Sequence, residues 1–265
     1  MLRNRKRMEE GNIMAKVAIL TGYGINADNE LKEAFLRAGA KQADRIHIND
    51  MIEKPEILDD YQILGFPGGF SFGDHLGSGL VMAHLFKQNL KGVLDKFIAK
   101  GKLIIGICNG FQVLVKMGVL PNFDGNWTQE VSLIHNNTGV FENSWFNVRF
   151  NTDSPCVWTK GLKEMDIPIR HGEGRFITKD KATLERIKAL HLDTVIYNDR
   201  NPNGSECDIA GITDTTGRIL GLMPHPEAFL TPENHPMWRR QEIKEAAGLA
   251  LLKNGVDYID SRNIK

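Results

Sequence analysis

What most restricts the fold of this chain is an alternation of short apolar runs with helix-patterned segments. Lys16-Val-Ala-Ile-Leu-Thr21 has the character of a buried strand and stops at Gly22-Tyr-Gly24. In the following segment, Asn29 to Gly39, Leu31, Ala34, Phe35 and Ala38 share one helical face, and Gly39 stands where a left-handed cap is favoured. Residues 45–48 and 61–66 are the next strand candidates, the second closing on Pro67-Gly-Gly69. One long helix is expected over residues 78–100, carrying Val81, Leu85, Val93 and Phe97 at helical spacing and ended by Gly101. The fourth run, Lys102-Leu-Ile-Ile-Gly-Ile107, leads straight into Cys108, and Asn109 to Gly118 is patterned as another helix. Strands that are apolar throughout must be covered on both faces. The expected fold class is therefore α/β, a doubly wound and mostly parallel sheet.

From Pro121 the rhythm changes. Residues 131–150 and 167–177 mix β-branched and aromatic residues with Asn, Gly and Asp, and are expected to form an antiparallel extension of the same sheet. Residues 194–197, 208–213 and 218–223 are further strands, and residues 237–252 read as a final amphipathic helix stopped before Gly255. No repeat or linker interrupts residues 16–265, which are expected to be a single domain. Residues 1–15 are basic, lack the apolar core of a secretory signal, and are expected to be a disordered extension.

Thirty-three basic side chains balance 33 acidic ones, which removes the electrostatic case for binding nucleic acid or an anionic membrane. No apolar run approaches the roughly 18 residues of a membrane span. The three cysteines, Cys108, Cys156 and Cys207, are too few and too odd in number for a disulfide framework, so a reducing, cytoplasmic setting is expected.

Cys108 has the most informative surroundings. Gly106-Ile-Cys-Asn-Gly110 places a thiol between a buried strand and a helix with a glycine two residues to either side, the thiol counterpart of a nucleophile elbow. A cysteine nucleophile needs a base and a group to orient that base. Two His-x-Glu pairs offer both: His225 with Glu227, and His171 with Glu173. His225 follows an apolar strand and is stiffened by Pro224 and Pro226, which favours it as the base. His171 and Glu173, with Arg175, lie among glycines and suit an active-site loop around a ligand. The Gly68-Gly69 turn lacks the spacing of a phosphate loop. It could instead aim backbone N–H groups at an oxyanion, with the N–H of Asn109 as second donor. The remaining histidines show no metal-ligand spacing, so no metal site is expected.

At these residues the sequence resembles the class I (triad) glutamine amidotransferases, and most closely the glutaminase subunits of phosphoribosylformylglycinamidine synthase. The resemblance is carried by Pro67-Gly-Gly-Phe-Ser-Phe-Gly-Asp74, Gly106-Ile-Cys-Asn-Gly-Phe-Gln112, Arg170-His-Gly-Glu-Gly-Arg175, Asn201-Pro-Asn-Gly204 with Ile209-Ala-Gly-Ile212, and Met223-Pro-His-Pro-Glu227. It implies a flavodoxin-like fold, with Cys108 as nucleophile, His225 as base, Glu227 as its orienting carboxylate, the backbone near Gly69 and Asn109 as oxyanion hole, and Gln112 helping to hold glutamine. It further implies that no cofactor binds this chain: ATP and magnesium belong to a synthetase partner, to which a small bridging subunit joins the glutaminase. After Glu227 the chain departs from the resembled pattern, with Ala228, Phe229 and an added stretch through Pro236. A glutaminase feeding another synthetase and a non-catalytic regulatory module are the alternative readings.

Overall fold

The apolar runs become the inner strands of one sheet. The computed structural model describes residues 14–243, 246–262 and 264. Along the chain come β1 (Lys16–Thr21), α1 (Asp28–Arg37), β2 (Gln42–His47), α2 (Ile48–Glu53), β3 (Ile63–Phe66), α3 (Leu80–Asn89), α4 (Lys91–Ala99), β4 (Leu103–Ile107) and α5 (Asn109–Met117). They are followed by β5 (Val131–Ile134), β6 (Glu142–Phe150), β7 (Glu164–His171), β8 (Arg175–Thr178), α6 (Lys181–Ala189), β9 (Asp193–Tyr197), β10 (Ile209–Thr213), β11 (Ile219–Leu222) and α7 (Ala247–Arg262).

The main sheet has the order β2-β1-β3-β4-β11-β10-β9-β6-β7. Strands from β2 to β11 pair in parallel, and those from β11 to β7 pair antiparallel. The α/β class, the mostly parallel sheet and its antiparallel part are thus as expected, and the order β2-β1-β3-β4 is that of flavodoxin-like folds. Every residue of β3, β4 and β11 is buried, which is why these strands show no polar alternation. In such sheets ligands bind beyond the carboxyl ends of the parallel strands, here the ends of β3, β4 and β11.

Three expectations need correction. The helix over residues 78–100 is two helices, broken at Leu90 (φ −122°, ψ 0°) beside the weak helix former Gly92. The break carries Leu90, Leu94 and Phe97 into the same core that Met82 and Phe86 of α3 fill. Strands β5 and β8, expected on the main sheet, pair with each other in a separate two-stranded sheet, with β5 packed on α5. The final helix starts at Ala247 and runs through Gly255. A side chain at Gly255 would overlap the buried Trp158 ring, and one at Gly248 would overlap the carbonyl of Pro226. These glycines are close contacts of a continuous helix, which is why neither marks its end.

Of the expected N-terminal extension, residues 1–13 lie outside the described residues. Ala15 is buried, and its N–H donates to Asp260 Oδ1 on α7 at 2.8 Å. Among the described residues no helix is long and apolar enough to cross a membrane.

Because the Trp158 ring occupies the space next to Gly255, Gly255→Ala must displace it. The variant is expected to lose about 1–3 kcal/mol of stability, read as a lowered urea midpoint; an unchanged midpoint would mean that the helix can shift without cost.

Candidate active site

The turn from β4 to α5 places Cys108 at φ 52°, ψ −106°, a conformation that a residue with a β-carbon adopts only when its surroundings hold it there. The Cys108 N–H donates to Leu222 O of β11 at 2.8 Å. A side chain at Gly110 would overlap the Phe66 carbonyl at the end of β3, and one at Gly106 would meet Gly110 and Leu114. The flanking glycines therefore let β3, the elbow and α5 pack against one another. Cys108 is the N-cap residue of α5, next to the unpaired N–H groups of the helix's first turn, and its side chain makes no cap hydrogen bond. Its Sγ lies 3.6 Å from the Arg170 carbonyl at the end of β7.

His225 and Glu227 follow β11. The His225 N–H donates to Pro168 O at 2.8 Å. A short 3₁₀ turn over Pro226–Ala228 then folds Glu227 back, so that its Oε1 lies 2.6 Å from His225 Nδ1. The pair forms through this turn and not through extended backbone. Both side chains are buried, and His225 Nε2 has no hydrogen-bond partner. Gly68 fills the gap beside them: a β-carbon there would stand 2.9 Å from His225 Cε1 and 3.6 Å from Cys108 Cβ. Burial works against the imidazolium, but the Glu227 carboxylate and the Cys108 sulfur outweigh it and raise His225 to about 10.

The second His-x-Glu pair does not form. His171 ends β7, and its Nδ1 lies 3.1 Å from Asn136 Oδ1, which also accepts the Gly174 N–H. Asn136 Nδ2 donates to the carbonyls of Val140 and His171, so the amide orientation is settled and His171 Nδ1 must carry the proton. Burial, aided by the charge of His225, lowers His171 to about 4 and keeps it neutral. Its bare Nε2 is buried with no partner. Glu173 lies 3.6 Å from His135 Nδ1 instead. The expected loop is a tight turn between β7 and β8. Arg175 Nε donates to Gly204 O at 3.1 Å, so Arg175 braces the neighbouring Asn201–Ser205 turn. Asn203, fully buried, donates from Nδ2 to Gly174 O at 2.8 Å and holds the two turns together.

Two cavities of about 370 and 280 Å³ meet at Cys108 and share Gly69, Phe70, Phe141 and Arg170 in their walls. The larger reaches His225 and Glu227; the smaller reaches Asp74, Gln112, His171 and Glu173. Asn109 Oδ1 accepts the Ser71 N–H, and its Nδ2 donates to Gln112 Oε1 at 2.9 Å. Gln112 Nε2 donates to Glu173 O at 2.5 Å. Both polar ends of Gln112 are thus engaged within the chain, although it faces the cavity. Cys156 is buried away from this place and Cys207 is exposed.

Sequence reasoning assigned no role to Asp74, Asn136, Phe141 or Arg170. Asp74 and Arg170 stood inside the quoted motifs, whereas Asn136 and Phe141 carry no local signal and are visible only once β6 and β7 are assembled. Among the described residues no cluster of His, Cys, Asp and Glu could hold a metal ion. A thiol on a strained elbow, a buried His–carboxylate pair and helix N–H donors together suit acyl transfer through a thioester.

Comparison with known proteins agrees with this chemistry. The profile of a CobB/CobQ-like glutamine amidotransferase domain matches residues 14–259. The phosphoribosylformylglycinamidine synthase subunit PurQ of Methanococcus maripaludis is 41% identical over 94% of this chain and 98% of its own. The same subunit of Dehalococcoides mccartyi is 41% identical over 92% and 97%. The structure of PurLQS from Thermotoga maritima contains a chain that superposes with a TM-score of 0.70 at 27% identity, covering 93% of this chain and 100% of that one.

The His225–Glu227 contact predicts that His225 stays protonated through neutral pH and titrates near pH 10, and that Glu227→Gln moves this titration downward. NMR of the His225 Cε1 resonance reads both, and an unmoved titration would remove Glu227 as its partner.

Proposed function

Since the chain belongs to the family of PurQ glutamine amidotransferase subunits of phosphoribosylformylglycinamidine synthase, we propose that it releases ammonia from glutamine through a Cys108-His225-Glu227 triad. The observation that carries this reading is the buried 2.6 Å contact between His225 and Glu227 beside the strained elbow of Cys108.

The Cys108 thiolate attacks the side-chain carboxamide carbon of glutamine. The resulting oxyanion is received by backbone N–H groups at Gly69 and Asn109, which border the same cavity and helix end. As the C–N bond breaks, the His225 imidazolium gives its proton to the leaving ammonia. His225 then takes a proton from the water that attacks the thioester, which frees glutamate and restores the thiol. Glu227 keeps the His225 ring oriented and steadies its charge through both half-reactions.

Ammonia is consumed on another chain. PurLQS of Thermotoga maritima was solved as such, and this chain takes the corresponding place, with a synthetase and a small bridging subunit as partners. The synthetase uses ATP and magnesium to convert formylglycinamide ribonucleotide to the amidine in purine biosynthesis; no cofactor is needed here. The setting is the cytoplasm, where such small-molecule synthesis and three free cysteines are at home.

Two measurements test the triad. Cys108→Ala abolishes synthesis from glutamine in the assembled enzyme and spares synthesis from added ammonium; loss of both would make Cys108 a structural residue. Glu227→Ala lowers the glutamine-dependent kcat by about 10²- to 10⁴-fold, and an unchanged kcat would remove it from the machinery.

A further inference from the structure

The peptide joining Gly68 to Gly69 has its two polar groups on opposite sides of the turn after β3. Its carbonyl is taken: Gly68 O accepts the N–H groups of Asn26 at 3.3 Å and Ala27 at 3.2 Å, the residues that lead into α1. In a trans peptide the N–H points away from the carbonyl, so the Gly69 N–H is turned away from α1. Among the described residues it has no hydrogen-bond partner, and Gly69 borders both cavities beside Cys108. A β-carbon at Gly68 would stand 3.6 Å from Cys108 Cβ, which puts this peptide against the elbow. The direction of the free N–H is therefore set by whatever holds the carbonyl behind it.

What holds it is the start of α1. Ala27, the residue that caps this helix, offers no side-chain acceptor, and the Gly68 oxygen lies at the positive end of the helix dipole. A short antiparallel bridge between Ile25 and Gly69 adds to the clamp: the Phe70 N–H donates to Gly24 O at 2.9 Å, and a β-carbon at Gly69 would stand 2.8 Å from Gly24 O and from Ile25 Cα. The start of α1 is in turn anchored from the edge of the sheet. Asp28, the first residue of the helix, has a side chain only 9% exposed, and its Oδ2 lies 3.0 Å from Nε of Arg45 on β2. The same guanidinium donates through Nη1 to Asn29 Oδ1 at 2.5 Å. A buried carboxylate is tolerated only with such a partner, so Arg45 fixes where α1 begins.

We propose that Asp28 and Arg45 are positioning residues for the oxyanion hole: by pinning the first turn of α1 to β2 they hold the Gly68 carbonyl, and so aim the Gly69 N–H at the place where the oxyanion forms. The proposal rests on the glutaminase reading above. Neither side chain belongs to a cavity wall at Cys108, so the pair acts through the main chain alone. Loosening α1 lets the peptide rotate, and a rotated peptide presents its oxygen, or nothing, where the developing negative charge needs a donor.

The test uses the complex reconstituted with its synthetase and bridging subunits. In Asp28→Asn and in Arg45→Met the glutamine-dependent kcat is expected to fall about 10-fold, a part of the roughly 10²- to 10³-fold that a whole oxyanion donor supplies, while KM and synthesis from added ammonium stay native. The γ-aldehyde of glutamate, which adds the Cys108 thiol to give a tetrahedral thiohemiacetal, is expected to lose affinity by the same factor. Iodoacetamide, whose reaction forms no oxyanion, alkylates Cys108 at the native rate. Arg45→Lys, which keeps a cation beside Asp28, restores most of the kcat, and the double variant falls no further than either single one. An unchanged kcat in both single variants overturns the proposal. So does an aldehyde affinity that stays native while kcat falls, or a matching fall in alkylation rate or in ammonium-dependent synthesis, because these would show a general structural role. A native complex that releases no ammonia from glutamine overturns the glutaminase reading itself, a result distinct from these.

Discussion

The site depends on a backbone turn that only close packing can hold. Cys108 sits in a conformation that its β-carbon disfavours, and three contacts keep it there: the ladder bond to Leu222, the approach of Gly110 to the Phe66 carbonyl, and the approach of Gly106 to the start of α5. These contacts come from β11, β3 and α5, so the strain is borne by the center of the sheet and not by a loop. The same contacts fix the positions of the three strand ends that carry the glycine turn, the thiol and the histidine. A sheet with any of these strands displaced would lose the geometry before it lost its core.

The two His-x-Glu pairs show how position in the fold divides identical spellings. His225 leaves a central strand, and a proline-initiated turn returns Glu227 to it, which yields a charged pair inside the protein. His171 ends a strand at the edge of the sheet, and Asn136 takes its Nδ1, which yields a neutral ring with an open nitrogen. One histidine is held as a cation and the other as a neutral ring. Their environments push their proton affinities in opposite directions although both are buried, because only one has a carboxylate beside it.

Much of this was legible in the sequence where a local rule applied. Continuous apolar strands announced the parallel half of the sheet, and the glycines around Cys108 announced the elbow. What escaped was decided at long range. Leu90 breaks a helix because the core behind it draws the side chain inward. Gly255 looks like a stop signal and is instead a contact for Trp158, a residue far away in the chain. Asn136 and Phe141 enter the site because β6 and β7 fold over it, and nothing in their neighbours in sequence marks them.

Helix α7 gives the buried Glu227 carboxylate an unexpected dependence. Gly248 packs against the carbonyl of Pro226, the residue between His225 and Glu227, while Asp260 near the other end of the helix holds the N–H of Ala15 at the entrance to β1. The helix thus works as a clasp that fastens the start of the first strand to the turn carrying Glu227. A tag, truncation or bound protein that levers this helix outward would act on the His225–Glu227 contact from the back of the molecule, with no residue of the pocket altered.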